Sequence, residues 1–91
     1  MKLKAKIISV SPEQSGLRKD NSRWRSCNAI LQVEEDRFVV RAWDEESDFC
    51  QTYDLATRPD VEAEVRFDIG TSVRYGDRKY QEATIKAIKT L

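Results

Sequence analysis

A chain of 91 residues is long enough to bury one hydrophobic core and too short for two. At 40% hydrophobic and 35% charged it has the make-up of a folded globular domain, which excludes a disordered segment. No apolar run exceeds four residues, which excludes a membrane-spanning helix, and 16 cations against 16 acids leave a net charge of zero, which excludes strong long-range steering of a charged partner.

In chain order, "KLKAKIISV" alternates Lys2, Lys4 and Lys6 with Leu3, Ala5 and Ile7, then shifts phase at Ile8 and Val10, as a strand with a bulge does. "SPEQSG" carries turn chemistry, and a loop is expected to run on to about Asn21. "RWRSCNAILQV" alternates again; "EED" makes a polar turn before a third strand, "FVVRAW". "DEESDFCQTYDL" reads as a short helix, with Asp44 as N-cap, Glu45 and Glu46 in the first turn, and Phe49 and Tyr53 on one face. Pro59 ends that region. "VEAEVRFDI" puts Val61, Ala63, Val65, Phe67 and Ile69 on one side of a fourth strand. The chain then returns as "KYQEATIKAIK", with Gly76-Asp77 as the tip of a tight hairpin.

Three strands, a short helix and two more strands are the order of an OB-fold, a five-stranded Greek-key barrel. The expected fold is therefore all-β with one short helix, a single domain over residues 1–91. Pairing the second and third strands about the "EED" turn sets Val33 opposite Phe38, Leu31 opposite Val40 and Ala29 opposite Ala42, all facing inward. The other face then holds Trp24, Ser26, Asn28 and Ile30 beside Val39, Arg41 and Trp43. A slip by one residue would invert every side chain. Two indoles, an arginine and small polar groups make that outer face a stacking platform.

Charge is unevenly spread along the chain. Residues 12–25 carry Arg18, Lys19, Arg23 and Arg25 against two acids, and residues 71–80 carry Arg74, Arg78 and Lys79 against one. Residues 34–54 hold eight acids against Arg37 and Arg41. In OB-folds a ligand crosses the second and third strands between the first-to-second and fourth-to-fifth strand loops, and these loops are the two basic segments. Single-stranded nucleic acid needs cations for its phosphates and aromatic faces for its bases. The candidate site is therefore Arg18, Lys19, Arg23, Trp24, Arg25, Asn28, Arg41, Trp43, Arg74, Tyr75, Arg78, Lys79 and Tyr80, with topology bringing the basic segments together.

Blander roles stand beside these. Trp43 could pack where the barrel closes on its helix, Tyr75 and Tyr80 could form a cross-strand pair, and the basic residues could be solvated loop charges. The acids at positions 44, 45, 46 and 48 are better explained by helix capping than as ligands for a divalent cation. Cys27 and Cys50 are too far apart in sequence to read as a redox pair, and a chain without His has no Cys/His metal cluster. Two reduced, buried thiols are expected, with no cofactor and no metal. The missing His, together with the absence of a Gly-rich phosphate loop or nucleophile elbow, argues against an enzyme. "MKLKAKIISVSPE" has no apolar run of signal-peptide length, so the expected location is the cytoplasm.

"KIISVSPEQSGL", "VRFDI" and "YGDRKYQEATIKAIK" resemble a small bacterial family of uncharacterised domains, best known from Bacteroidetes and distantly similar to single-stranded-DNA-binding proteins. The likeness covers nearly the whole chain and includes the Pro-x-Gln-Ser-Gly turn, a Trp opening the second strand and an aromatic ending the third. It departs at Ile88, where the family often has Trp, and at Arg58-Pro59-Asp60, where it often has Gly. The resemblance implies an OB-fold and, more loosely, binding of single-stranded nucleic acid with low sequence specificity, DNA ahead of RNA. An OB-type protein-interaction or homodimerisation module without nucleic-acid binding is the alternative.

Overall fold

Alternation shapes the first strand and the break in its alternation bends it. The computed structural model describes residues 1–75 and 77–91, with residues 68–73 and 75 described by their backbone alone. Strand β1 (Lys2–Val10) exposes its three lysines and buries Ala5 and Ile7. Its pairing skips Ile8, the position of the expected bulge: Ile7 lies opposite Leu31 and Ser9 opposite Ile30. The kink lets one strand serve two partners. Residues 2–5 pair with residues 61–64 of β5 (Val61–Tyr75), and residues 6–10 pair with β3 (Arg23–Val33).

The segment expected as loop holds a further strand. Strand β2 (Gln14–Leu17) pairs with residues 23–26 of β3 as a hairpin, and its tip comes at residues 18–22. There Asn21 is left-handed at φ 66°, and the Asp20 carboxylate accepts bonds from the Ser22 N–H and hydroxyl at 3.0 and 2.6 Å. The expected loop is found at residues 11–13 and at the tip, but the Gln-Ser-Gly of "SPEQSG" is strand rather than turn. A four-residue edge strand that buries neither face has no apolar alternation to betray it.

Strand β4 (Asp36–Trp43) follows β3 through a two-residue turn, Glu34-Glu35, with Glu34 at φ 55°. The observed register sets Leu31 opposite Phe38, Ala29 opposite Val40 and Cys27 opposite Ala42. This corrects the expected pairing by two residues. Because side chains alternate with period two, a shift of two leaves both faces unchanged.

Helix α1 (Glu45–Thr52) also needs a correction at its start. Asp44 stands at the N-cap position with φ 50° but makes no side-chain cap. Phe49 and Tyr53 do share a face, 6.5 Å apart, and the Tyr53 hydroxyl donates to the Pro59 carbonyl at 2.6 Å. Strand β5 buries Val61, Ala63 and Val65, while Phe67 meets Phe38 edge-on at 5.1 Å. The expected inward Ile69 and the Gly76 of the hairpin tip lie outside the described side chains and residues. Strand β6 (Arg78–Thr90) runs antiparallel to β5 and parallel to β4, where Val39, Val40 and Arg41 face Glu82, Ala83 and Thr84.

The sheet order is β1-β5-β6-β4-β3-β2, and the β1–β3 pairing joins β1 back to β3, so five strands form a ring of pairings with β2 appended. Inside it lie Ile7, Leu31, Val40, Val61 and Val65, each at most 2% exposed, with Cys50 of α1 closing one side. Burial of each such side chain stabilises the fold by about 1.5–3 kcal/mol. No described helix is long and apolar enough to cross a membrane.

Candidate nucleic-acid interface

The outer face of β3 and β4 is built from three cross-strand pairs: Ser26 with Trp43, Asn28 with Arg41, and Ile30 with Val39. Its two halves differ. Ile30 and Val39 are 6% and 1% exposed, so the apolar half is covered, whereas Trp43 is 36% exposed. The open half is a cleft of about 330 Å³ that takes in Trp24, Asn28, Arg41 and Trp43, with Ser11 and Gln14 at its rim.

The indoles of Trp24 and Trp43 meet edge-to-face, with ring centroids 5.8 Å apart and planes at 68°. The Arg41 guanidinium carbon lies 5.7 Å from the centre of the Trp43 ring, within cation–π range. Trp24 owes its position to Gly16, its partner across the β2–β3 hairpin. A Cβ at Gly16 would lie 2.7 Å from the indole Cζ2 and 2.8 Å from Nε1, so only glycine lets the ring lie on the strand. Ser11 fixes the other border by accepting the Asn28 backbone N–H at 2.8 Å. Neither Gly16 nor Ser11 was singled out in the sequence; the glycine inside "QSGL" was the available signal once that segment is a strand.

The cations are distributed less simply. Arg18 binds the Asp44 carboxylate at 3.0 Å and the Arg23 carbonyl at 3.0 Å. Arg25 pairs with Asp48 of α1, and its backbone N–H donates to Asp44 at 3.2 Å. The Arg25 N–H and the Arg18 guanidinium hold the Asp44 carboxyl below the usual carboxylate range. Alternation along β3 sets Arg23 and Arg25 on the opposite face from Trp24 and Ser26, and Arg23 reaches Ser15 at 3.4 Å. Lys19 is exposed at the hairpin tip.

The second basic segment is elsewhere. Arg78, Lys79 and Tyr80 line a shallow depression of about 650 Å³ with Gln32, Arg37 and the acidic Glu34-Glu35-Asp36 turn. From the Ser26–Trp43 pair to the Val33–Asp36 pair the ladder runs seven residues, about 23 Å at the usual strand rise. The basic segments thus flank opposite ends of the face and are not brought together as expected. Arg74 is exposed, and the side chain of Tyr75 lies outside those described.

Behind the cleft, Cys27 and Cys50 are free and buried, as expected; too far apart in sequence to read as a redox pair, they are nevertheless neighbours in the fold. A hydrogen bond from the Cys50 thiol, opposed by burial and helped by Ser47 and Gln51, holds the Cys27 thiol below its ordinary range. The same contact, with burial, pushes Cys50 up. Ser47 is fully buried and donates to Glu13 at 2.7 Å. Among the described residues no group of three or more Cys, Asp or Glu side chains is placed to hold a metal ion.

No family model and no curated protein matches the chain, so the likeness to the Bacteroidetes-type family rests on the quoted motifs alone. Solved structures do match. The second OB-fold domain of replication protein A from Methanococcus maripaludis superposes with a TM-score of 0.69 at 16% identity, covering 99% of this chain and 81% of that one. The SSB domain of a Synechococcus sp. protein superposes with a TM-score of 0.56 at 17% identity, covering 97% and 90%. Strand order, ring of pairings and these superpositions agree that the chain folds as an OB-fold.

Proposed function

We propose that the protein binds single-stranded nucleic acid across the outer face of β3 and β4, with DNA as the favoured ligand and stacking as the main contact. The observation that carries this reading is the open notch of Trp24 and Trp43, with Arg41 beside it, on an OB-fold face. The structural neighbours support it, since their names place them among replication protein A and SSB domains. Trp24 and Trp43 stack bases, with Arg41 beside the stack; Arg18 and Lys19 serve phosphates at one end of the face, and Arg78 and Lys79 at the other. The role is binding, without catalysis. One observation favours the alternative of a protein-interaction module: Arg18 and Arg25 are already engaged by Asp44 and Asp48.

Salt-titrated fluorescence binding to oligo(dT) separates the two. About four phosphate contacts give a log–log slope of about −3 for a single strand. Trp24→Ala should weaken binding by about 1–3 kcal/mol, the worth of one stacked base, and leave that slope unchanged. A flat titration with dT, rU and mixed strands at low salt leaves the interaction module as the reading.

A further inference from the structure

The cleft between the indoles has polar equipment that stacking alone does not use. Asn28 and Arg41 face each other across β3 and β4 and both line it. Among the described residues neither side chain hydrogen-bonds to another protein group, and Arg41 forms no ion pair. Among the described residues Arg41 is held only by its approach to Trp43, which leaves its fork of donors uncommitted at the cleft. At about 330 Å³ the space is near the lower end of small-molecule pockets, about 300–1,000 Å³, which suits one base and no more. The edge-to-face indoles make an L-shaped notch, so a base stacked on one ring meets the other ring with its edge.

We infer that this cleft takes a single unpaired guanine, so that a strand bound with little regard to sequence is read at one position by Arg41 and Asn28. The inference rests on the single-strand reading above. Guanine presents the adjacent acceptors O6 and N7, which an arginine fork takes with two parallel bonds. Its remaining ring edge carries N1–H and N2–H donors, which the Asn28 carbonyl can accept. Adenine sets its N6 amino group beside N7, aiming a donor at a guanidinium that has no acceptor. Thymine offers no such adjacent pair. Cytosine can pair its O2 and N3 with the fork but brings a single ring to the stack. Guanine therefore leads, with cytosine second.

The test uses the full chain and labelled strands of about twelve nucleotides, within the roughly 4–16 covered by one OB-fold. One strand is all thymine, and three others carry a single central guanine, adenine or cytosine. The guanine strand is expected to bind about tenfold tighter than the all-thymine strand, inside the range of one bidentate arginine contact. Arg41→Lys keeps the charge, so the salt slope should hold while the preference falls to about twofold or less. Asn28→Ala should reduce the preference for guanine over thymine, by a smaller factor than Arg41→Lys. Equal affinity for all four strands overturns base selection and leaves single-strand binding standing. A guanine preference that persists in Arg41→Lys overturns the assignment to Arg41. Binding to none of the strands at low salt removes the underlying reading and the inference with it.

Discussion

Asp44 competes with nucleic-acid phosphate for Arg18, and replacing it tests how the cations are used. In Asp44→Asn the guanidinium loses its anionic partner, while the amide oxygen can still accept the Arg25 backbone N–H. The Arg18–Asp44 pair is exposed, at 43% and 40% of its side-chain surfaces, so solvent screens it and its loss should change stability little. Tm should therefore stay close to that of the native protein. Binding should respond instead. Arg18, shared with Asp44 in the native protein, is then wholly available to phosphate, and the log–log salt slope with oligo(dT) should steepen by up to about 0.7. Asp48→Asn is the matched control: it frees Arg25, but alternation puts Arg25 on the other face of β3, so the slope should not move. Salt-titrated anisotropy on the three proteins reads the difference. An unchanged slope in Asp44→Asn, or an equal steepening in Asp48→Asn, would refute the assignment of faces.

Gly16→Ala should displace the Trp24 indole by steric contact, shifting its fluorescence and weakening oligo(dT) binding about as much as Trp24→Ala; unaltered emission and affinity would contradict the seating of the ring on β2. The lowered Cys27 pKa makes stability depend on pH. A thiol held below its ordinary 9.0 adds stability that is complete above 9.0 and lost as pH falls through its folded pKa, and Cys50, pushed up in the fold, stays protonated in both states up to about pH 8 and adds nothing to the change below that. The gap in denaturant midpoint between the native protein and Cys27→Ser should therefore widen from about pH 6 to 8, and a constant gap would refute it. A reductant should leave Tm unchanged because both thiols are free, and a drop of several degrees would show a disulfide.

The parts of the fold legible in the sequence were those written in alternation. The inward set Cys27, Ala29 and Leu31 and the outward set Ser26, Asn28 and Ile30 follow from period two, and they survived a register error because that error was even. The error itself came from a turn with neither Gly nor Asn, in which Glu34 adopts positive φ. Strand β2 was hidden because Gln14, Ser15 and Leu17 are all exposed, so pairing with β3 alone makes it a strand. Within the candidate site, Trp24, Asn28, Arg41 and Trp43 were legible together since they share one pleated surface. The ion pairs Arg18–Asp44 and Arg25–Asp48 and the Cys27–Cys50 contact were not, because each joins segments separated by more than twenty residues. The distance between the two basic segments likewise depends on which ends of β3 and β4 their hairpins meet.

The divided loyalty of β1 also sets an order of assembly. Its second half pairs with β3, which leaves the polypeptide exit early, but residues 2–5 wait for residues 61–64, and the Met1 ammonium and carbonyl wait for Val65, to which they bond at 3.0 and 2.8 Å. Contacts of such long sequence separation form late and slowly. Until then the first half of β1 is an unpaired edge, open to pairing with another nascent chain. Lys2 and Lys4 stand on that stretch, with Lys6 next to it, and their mutual repulsion between copies guards the half-made ring through the interval before β5 arrives.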